Sequence, residues 1–302
     1  MIRAAFTLLI ILSLLTACGQ GKETTDGSST SSAADTAMIR IAVLPTLDCI
    51  PLVLAKEHGW FKQQGIEVGL CVFQAQMDCD TAFERGRVQA MITDLVRTER
   101  LRGNGCELEY LTHTSASWQL LTNRAARIKQ LKQLDDKMLA MTRFSATDLF
   151  GDMAVDSAKL KSERVFRIQI NDVTVRLNML ETGIMDAMFL PEPQATAGRN
   201  MRAHKLLDTR SMNLQLGVLA VRQNSIPKQK LDLFMKAYSM ACDSLNHYGL
   251  QAYGDLIKEW CNVDQATIDS LPQDYAYPNA TMPQENDMKL VQQWLKKKQQ
   301  LR

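Results

Sequence analysis

The chain has 302 residues, of which 46% are hydrophobic, and a formal net charge of +2 at pH 7. This near-neutral balance, with no block of Lys and Arg interleaved with aromatic residues, excludes nucleic acid as an expected partner. Beyond the N-terminal segment, no apolar stretch approaches the length of a membrane span. The composition is therefore typical of a globular chain.

The first predicted element is an export signal. Arg3 supplies a positive charge, and the apolar run Ala4–Leu15 that follows it is too short to span a bilayer. The run ends in Leu15-Thr16-Ala17-Cys18, which resembles the bacterial lipobox. The resemblance implies that residues 1–18 are a lipoprotein signal peptide and that Cys18 is lipidated, so that the exported chain is anchored to a cell-envelope membrane. The alternative is an ordinary signal peptide with a chance cysteine.

Residues 19–37, "GQGKETTDGSSTSSAADTA", contain no large apolar side chain. Such a segment cannot bury enough surface to offset the entropy of ordering it, so we expect a flexible tether. The remaining stretch, 38–302, is longer than one hydrophobic core usually supports. It therefore predicts two lobes.

Strands and helices alternate in the first part of this stretch. "MIRIAVLP" (38–45) predicts a buried strand, and the helix that follows it ends at Gly59. Further strands are predicted at 65–73 and 88–94, with a short helix from Asp78 to Gly86 between them. The segment 107–123 carries one or two more strands. This alternation predicts a parallel sheet covered by helices.

The middle of the chain repeats the pattern. Strands are predicted at 137–143, 164–170 and 184–191, and the helices between them begin at Ser145 or Thr147 and end at Gly183. A further helix begins near Glu192, a strand at 213–223 crosses back, and amphipathic helices complete the chain. We therefore expect lobe II to comprise 123–210 and lobe I to comprise 38–122 plus 211–302.

Seven cysteines leave six once Cys18 is set aside, and an even number in an exported protein permits disulfides. Cys242 and Cys261 lie on two consecutive helical patterns, so a bridge between two helices is conceivable. The alternative is that several of the six are small buried hydrophobic residues. Fifteen full pairings remain open from sequence alone; the six are Cys49, Cys71, Cys79, Cys106, Cys242 and Cys261.

Three segments together resemble the periplasmic binding proteins of the nitrate, sulfonate, taurine and thiamine-pyrimidine-precursor group. They are "PLVLAKEHGWFKQQGIEVGL", "TAFERGRVQAMITD" and "LETGIMDAMFLPEPQATAGR", in the order that this group has them. The resemblance covers residues 39 to about 300. It implies an α/β, two-lobed periplasmic-binding-protein fold (type II) with the ligand in the interlobe cleft. It also implies a monomeric solute receptor without cofactor or metal, whose partners are an ABC permease and its ATPase.

Ligands of open α/β sheets bind beyond the carboxyl ends of the strands. The predicted strand ends carry polar side chains in both lobes, together with one aromatic ring. The candidate ligand-binding residues are Thr46, Asp48, Gln76, Asp78, Thr81, Asp94, Ser115, Trp118, Arg143, Ser145, Thr147 and Glu192.

These candidates favour a particular ligand chemistry. The helix starts at Asp78–Thr81 and Ser145–Thr147 offer N–H groups to an anion. Yet the first-lobe rim is acidic, and Arg143 is the one cation in the set, so a zwitterion or an amine-bearing heterocycle fits better than a simple anion. We expect a thiamine-pyrimidine precursor ahead of an alkyl sulfonate. Alternatively, the acids are only helix caps or solvated loop residues (Asp48, Asp78, Asp80, Asp94), and the rings of Trp118 and Phe144 belong to the core.

Two other classes of function are weighed against transport. Enzymes of this fold include a thiamine-pyrimidine synthase and a dehydratase of menaquinone synthesis, but the cysteine-dense motif of the synthase group is absent, since Cys71 and Cys79 stand too far apart. The four histidines form no metal-ligand pair, and no Gly-x-Ser-x-Gly appears. We therefore expect a binding protein rather than an enzyme. A sensor or a scavenger without a transporter remains the third class.

Overall fold

The computed structural model describes residues 38–278 and 280–300, and the predicted signal peptide, Cys18 and the tether lie outside them. The strands are β1 (Met38–Val43), β2 (Glu67–Val72), β3 (Ala90–Asp94), β4 (Leu108–His113), β5 (Trp118–Thr122), β6 (Lys137–Met141), β7 (Val165–Gln169), β8 (Ala187–Pro191), β9 (His204–Asp208) and β10 (Gly217–Arg222). The α-helices are α1 (Ile50–Glu57), α2 (Trp60–Gln63), α3 (Gln76–Glu84), α4 (Leu95–Gly103), α5 (Ala146–Ser157), α6 (Val173–Glu181), α7 (Gln194–Asn200), α8 (Lys228–Tyr248), α9 (Gly254–Cys261), α10 (Gln265–Asp269) and α11 (Glu285–Gln300).

The strands form two five-stranded sheets, so the α/β, two-lobed fold class is confirmed. Their orders are β2-β1-β3-β10-β4 and β7-β6-β8-β5-β9. The prediction of purely parallel sheets is wrong, because β10 runs antiparallel to β3 and β4, and β5 runs antiparallel to β8 and β9. Both antiparallel strands are the first to enter a sheet after the chain crosses from the other one, so each enters from the opposite end.

The first crossing comes earlier than the sequence indicated. β5 belongs to the second sheet, although the predicted boundary at residue 123 placed it in lobe I. The sequence analysis treated 107–123 as one segment of one or two strands, whereas the short segment "TSAS" at 114–117 carries the chain across. The return crossing, 209–216, includes the predicted boundary at 210/211. The limits of the lobes as moving bodies stay a prediction.

The two crossings contact each other at Gly217. A Cβ atom there would lie 2.4 Å from the Cβ of Ala116 and 2.4 Å from Oγ1 of Thr114. The backbone N–H of Thr114 also donates to the Gly217 carbonyl, over 2.8 Å. Glycine therefore permits the close approach of the outgoing and returning chains.

The first segment that carried the resemblance folds as predicted. Pro51 lies in the first turn of α1, where a missing N–H costs nothing. The helix then stops at Gly59, whose φ of 68° is in the left-handed region that glycine tolerates. The Phe61 ring stacks on that of Phe234 in α8, with centroids 5.3 Å apart. The connection from β1 to β2 therefore packs with α8 on one face of the first sheet.

The core on the other side runs through both sheets. Met91 and Val218 of the first sheet share one buried apolar cluster with Leu139 and Phe189 of the second. Helix α4 contacts both α5 and α11, and Trp294 and Lys298 of α11 donate to Asp152 of α5. α11 therefore lies against helices that cover both sheets, whereas the sequence placed it on the first lobe alone.

All six cysteines between residues 38 and 300 are free thiols. Cys242 and Cys261 are buried among apolar side chains of the first core rather than bridged. The structure thus supports the second interpretation of the cysteines, as small buried hydrophobic residues. No helix within the described ranges is long and apolar enough to cross a membrane.

Candidate functional site

A small cavity lies between the two sheets, at the edge where the strand ends meet. It is lined from the first sheet by Leu44, Thr46, Asp48, Gln76, Ile92, Thr93 and Asp94, and from the second by Trp118, Thr142, Ser145, Thr147, Asn171, Val173, Arg176 and Pro191, with Ala116 of the crossing between them. Its volume of about 60 Å³ accommodates only a few water molecules. Entry of a ligand therefore requires the sheets to separate.

Direct hydrogen bonds join the two sides around this cavity. The backbone N–H of Leu47 donates to the Glu192 carbonyl over 2.9 Å, and Nε2 of Gln194 donates to the Pro45 carbonyl over 2.8 Å. At the opposite end, Ala75 and Asp172 form an isolated antiparallel bridge. The structure is thus a closed form of the cleft.

The structure brings seven of the twelve predicted ligand residues to this cavity. From the first sheet they are Thr46, Asp48, Gln76 and Asp94, and from the second Trp118, Ser145 and Thr147. They meet because each follows or begins a strand at the shared edge, as the strand-end rule requires. Their role in binding stays a prediction.

Three of the predicted residues lie on or near the surface outside the cavity. Asp78 and Thr81 follow Gln76 on α3, but Asp78 is exposed and the Thr81 hydroxyl donates to the Met77 carbonyl, over 2.9 Å. Arg143 is also exposed, in a separate surface groove beside α11. Only one face of α3 points inward, because α3 packs over β1 and β3 with its buried side chains and leaves its other face to solvent.

Ser115 and Glu192 do not line the cavity. Ser115 lies in the first crossing, where its backbone carbonyl accepts the Tyr275 hydroxyl over 2.9 Å and its own hydroxyl is buried without a partner among the described residues. Glu192 is buried, and its carboxylate accepts both the backbone N–H and the hydroxyl of Thr196, at 3.0 and 2.7 Å. It also pairs with Arg199 at 3.2 Å, so it holds the start of α7 rather than facing the cavity.

The first-sheet wall of the cavity is acidic. Burial raises the pKa of Asp48, against the opposing effect of the Thr46 hydroxyl, which donates to its Oδ1 over 2.5 Å. Burial also raises the pKa of Asp94 to about 6, although the guanidinium of Arg97 and the backbone N–H groups of Arg97 and Ala146 oppose that change. Both carboxyls are therefore easier to protonate than in water.

Asp94 also lies beside a buried ion pair behind the wall, between Arg97 and Asp80. Its Oδ1 caps α4 by accepting the Arg97 N–H over 3.0 Å. The Arg97 side chain is buried and pairs with Asp80. Asp80 is thus a partner in an ion pair rather than the helix cap that the sequence analysis had considered. Asp94 faces the cavity and also caps α4.

The second-sheet wall carries a cation, Arg176, which the sequence analysis did not select. It lies on the inward face of α6 between Val173 and Leu180, is 4% exposed, and lines the cavity. Its Nη1 donates to the Phe189 carbonyl over 2.6 Å, whereas its Nε has no partner among the described residues. Burial lowers its pKa to about 10, with Asp172 opposing, so it stays charged at neutral pH.

Polar groups fixed by local hydrogen bonds fill the rest of the wall. Nε2 of Gln76 donates to Oγ1 of Thr93 over 3.0 Å. Ser145 caps α5 by accepting the Thr147 N–H over 3.1 Å, and its own hydroxyl donates to the Thr142 carbonyl over 2.7 Å. These groups are preorganised, which lowers the cost of ordering them around a ligand.

Trp118 and Phe144, the two rings considered for stacking, have different positions. Trp118 is half-buried at the start of β5 and lines the cavity, with its ring 5.9 Å from that of Phe150. Phe144 is buried outside the cavity, and the Arg100 guanidinium lies 4.8 Å from its ring centroid. Trp118 therefore offers an apolar face to a ligand, and Phe144 does not.

Within the described ranges, no group of three or more His, Cys, Asp or Glu side chains is placed to hold a metal ion. The cavity instead combines carboxylates, a guanidinium, hydroxyls and one indole. This donor set can recognise both ends of a small dipolar molecule through hydrogen bonds and charge.

A model of the NMT1/THI5-like family matches residues 46–247. The chain belongs to this family. The match spans both sheets and contains every residue that lines the cavity except Leu44. No curated protein sequence matches the chain significantly.

Several solved structures share the fold. The alkanesulfonate-binding protein SsuA from Xanthomonas axonopodis pv. citri, bound to MOPS, aligns with a TM-score of 0.74 at 16% identity, over 85% of this chain and 91% of its own. The aliphatic sulphonate binding protein SsuA from Escherichia coli aligns with 0.72 at 18%, over 88% of each chain. The nitrate-binding protein NrtA from Synechocystis PCC 6803 gives 0.67 at 12%, over 83% of this chain and 74% of its own. This NMT1/THI5-like chain therefore has the periplasmic-binding-protein fold.

Proposed function

We propose that this chain is the solute-binding protein of an ABC importer and captures a small zwitterionic or amine-bearing molecule between its lobes. The observation that carries the proposal is the charge arrangement of the cavity. Asp48 and Asp94 line one wall, and Arg176 lines the other. The fold and the binding proteins that share it support the importer role.

The wall charges favour a ligand with two unlike ends. Two unit charges about 4 Å apart interact by roughly 4 kcal/mol at an effective dielectric near 20. A cationic or N–H-bearing end therefore belongs beside Asp48 and Asp94, and a carboxylate, sulfonate or other acceptor beside Arg176. The expected zwitterion is kept, but Arg176 takes the place that the sequence had given to Arg143.

This reasoning keeps an aminopyrimidine of the thiamine-precursor type as the first candidate and makes an aminosulfonate such as taurine the second. A simple anion such as nitrate would pair with Arg176 but would offer no hydrogen-bond donor or positive charge to Asp48 and Asp94. Trp118 offers a face on which a heterocycle can stack. The candidates therefore differ in what they offer to each wall.

Two experiments test the binding function and ligand class. Native mass spectrometry of protein purified without refolding should show a co-purified small molecule. A thermal-shift screen should then favour aminopyrimidines and taurine over nitrate and alkyl sulfonates that lack an amine, because a ligand at a hundred times its Kd stabilises by roughly 2.7 kcal/mol. Stabilisation by amine-free anions alone would contradict the ligand class, and no stabilisation by any small molecule would contradict the binding function.

The lipid anchor is a second part of the proposal. It rests on the sequence Leu15-Thr16-Ala17-Cys18 followed by a polar segment. Several acyl chains on Cys18 would hold the receptor at the membrane beside its permease and ATPase, since each buried CH₂ contributes roughly 0.8 kcal/mol. Cys18→Ser should move the protein from the membrane fraction to the soluble one. Retention of this variant in the membrane fraction, in buffer without detergent, would contradict the anchor.

A further inference from the structure

Met77 joins the two sides of the cleft through its sulfur. It lies in the first turn of α3, beside the cavity residue Gln76. Nδ2 of Asn171 donates to its Sδ over 3.0 Å, and Nε2 of Gln169 donates to the same atom over 3.2 Å. Gln169 is the last residue of β7, and Asn171 lies in the connection between β7 and α6, so the thioether holds together segments of different sheets.

This contact lies where opening of the cleft must break it. The bridge between Ala75 and Asp172 is two residues away from Met77 along one chain segment and one residue from Asn171 along the other. Asn171 itself lines the ligand cavity. The sulfur and the backbone bridge therefore close the same end of the cleft.

Met77 is also accessible to solvent, with 41% of its surface exposed. Three other methionines in the described ranges have a comparable or larger exposure: Met138 at 36%, Met201 at 38% and Met282 at 61%. Of these four, only Met77 accepts side-chain hydrogen bonds at its sulfur among the described residues. Oxidants can thus reach the Met77 sulfur, and its oxidation would change hydrogen bonds that join the two sides of the cleft.

We propose that Met77 is a site of methionine oxidation that sets how tightly the cleft closes. The oxidant is hydrogen peroxide. A lone pair on Sδ attacks one peroxide oxygen, the S–O bond forms as the O–O bond breaks, and the departing hydroxide takes the remaining proton to become water. Sulfur is oxidised by two electrons and the peroxide is reduced by two, and a methionine sulfoxide reductase reverses the change.

Oxidation replaces a weak acceptor by a strong one. A thioether sulfur accepts hydrogen bonds poorly, whereas the sulfoxide oxygen is polar and is formed between two amide donors. A small retreat of the two exposed amide groups accommodates that oxygen. One additional full-strength hydrogen bond across the cleft favours the closed form by about two- to tenfold.

The test uses the ligand-free protein, so its result is independent of the proposed ligand. Wild type and Met77→Leu receive the same dose of hydrogen peroxide, and peptide mass spectrometry locates the added oxygen atoms. Hydrogen–deuterium exchange is then followed in peptides covering 73–80 and 169–176. We expect Met77 to be oxidised at a rate similar to that of Met282, and exchange in both peptides to slow by about two- to tenfold in the oxidised wild type.

The controls separate Met77 from the other methionines. Oxidised Met77→Leu should show no slowing, oxidised Met282→Leu should slow as the wild type does, and treatment with methionine sulfoxide reductase should restore the original exchange. The proposal is overturned if Met282 is oxidised while Met77 is not. Unchanged or faster exchange in the oxidised wild type, or equal slowing in Met77→Leu, overturns it as well.

Discussion

The two walls of the cavity differ in charge and in how the chain positions that charge. The acidic wall is made of Asp48, in the segment after β1, and Asp94, the last residue of β3, and both are fixed by hydrogen bonds to their own neighbours. The basic wall is one side chain, Arg176, which extends from within α6 and whose Nε has no partner in the part of the chain that the structure describes. The acids thus serve the structure as well as the site, whereas the arginine has donor capacity left for a ligand.

This difference predicts unequal consequences of mutation. A carboxylate that already caps a helix or accepts a hydroxyl has less to offer a ligand than a buried guanidinium with an unpartnered N–H. Mutation of Arg176 should therefore reduce ligand affinity more than mutation of either acid. The contribution of the acids should be seen most clearly in the pH dependence of stability. The predictions that follow test this ranking from the largest expected effect to the smallest.

The largest effect is expected for Arg176→Met. Removing the guanidinium that lines the basic wall should weaken taurine binding by at least about 30-fold, since the loss of one member of a buried charge pair costs 2 kcal/mol or more. The melting temperature of the free protein should change little, because the cost of burying a charge disappears together with the bond to Phe189. Isothermal titration and thermal unfolding measure the two quantities. Unchanged taurine affinity in a folded variant would show that the basic wall does not face the ligand.

The acidic wall should be visible in the pH dependence of stability. The pKa of Asp94 is raised from 3.8 to about 6, so between these values the folded state holds a proton that the unfolded state has lost. The free energy of unfolding should therefore fall as pH rises through this window, by about 3 kcal/mol at most.

Asp94→Asn removes this titration and keeps an N-cap of equal quality. Denaturant unfolding at intervals from pH 4 to pH 7 should show a stability that falls less steeply in the variant than in wild type. Parallel curves for the two proteins would mean that the Asp94 carboxyl titrates near its ordinary pKa and that the acidic wall is well solvated.

The acidic wall, at strand ends, could be predicted from the sequence, whereas the basic wall, within a helix, was not. Strands with buried apolar runs, the Gly59 stop and the polar residues after strand ends were all recognisable, because each depends on local pattern and chain order. β9 was missed because its residues His204, Lys205 and Asp208 give an edge strand without an apolar run. The position of the first crossing depends on which strands pair, which no local pattern reports.

Arg176 was missed because it lies in the interior of a helix rather than at a strand end. A signal did exist, since an arginine at the spacing of Val173 and Leu180 falls on the buried face of α6. A buried cation there requires a partner or a ligand. Arg143 was preferred because it ends the predicted strand 137–143, but β6 ends at Met141 and the Arg143 side chain is exposed in the turn that follows.

A smaller effect is expected for Asp48→Asn. The asparagine oxygen can still accept the Thr46 hydroxyl, so the fold is kept and only the negative charge is lost. Binding of an aminopyrimidine should weaken by about tenfold, the value of one charge-assisted hydrogen bond. Isothermal titration of the variant and of wild type with the same aminopyrimidine measures the difference. If the variant binds the amine as tightly as wild type, Asp48 has only a structural role.

The smallest effects are expected for the predicted residues outside the cavity. Asp78→Asn and Arg143→Ala change exposed side chains, and surface substitutions of this kind usually alter stability by less than about 0.5 kcal/mol. Both variants should bind taurine and aminopyrimidines as wild type does, within about twofold. Asp78 is the sharper comparison, because it precedes the buried Cys79 on α3, only two residues from the cavity residue Gln76, yet faces solvent. If Asp78→Asn weakens amine binding as much as Asp48→Asn does, the ligand reaches the rim of the cleft, and the enclosed cavity is only part of its site.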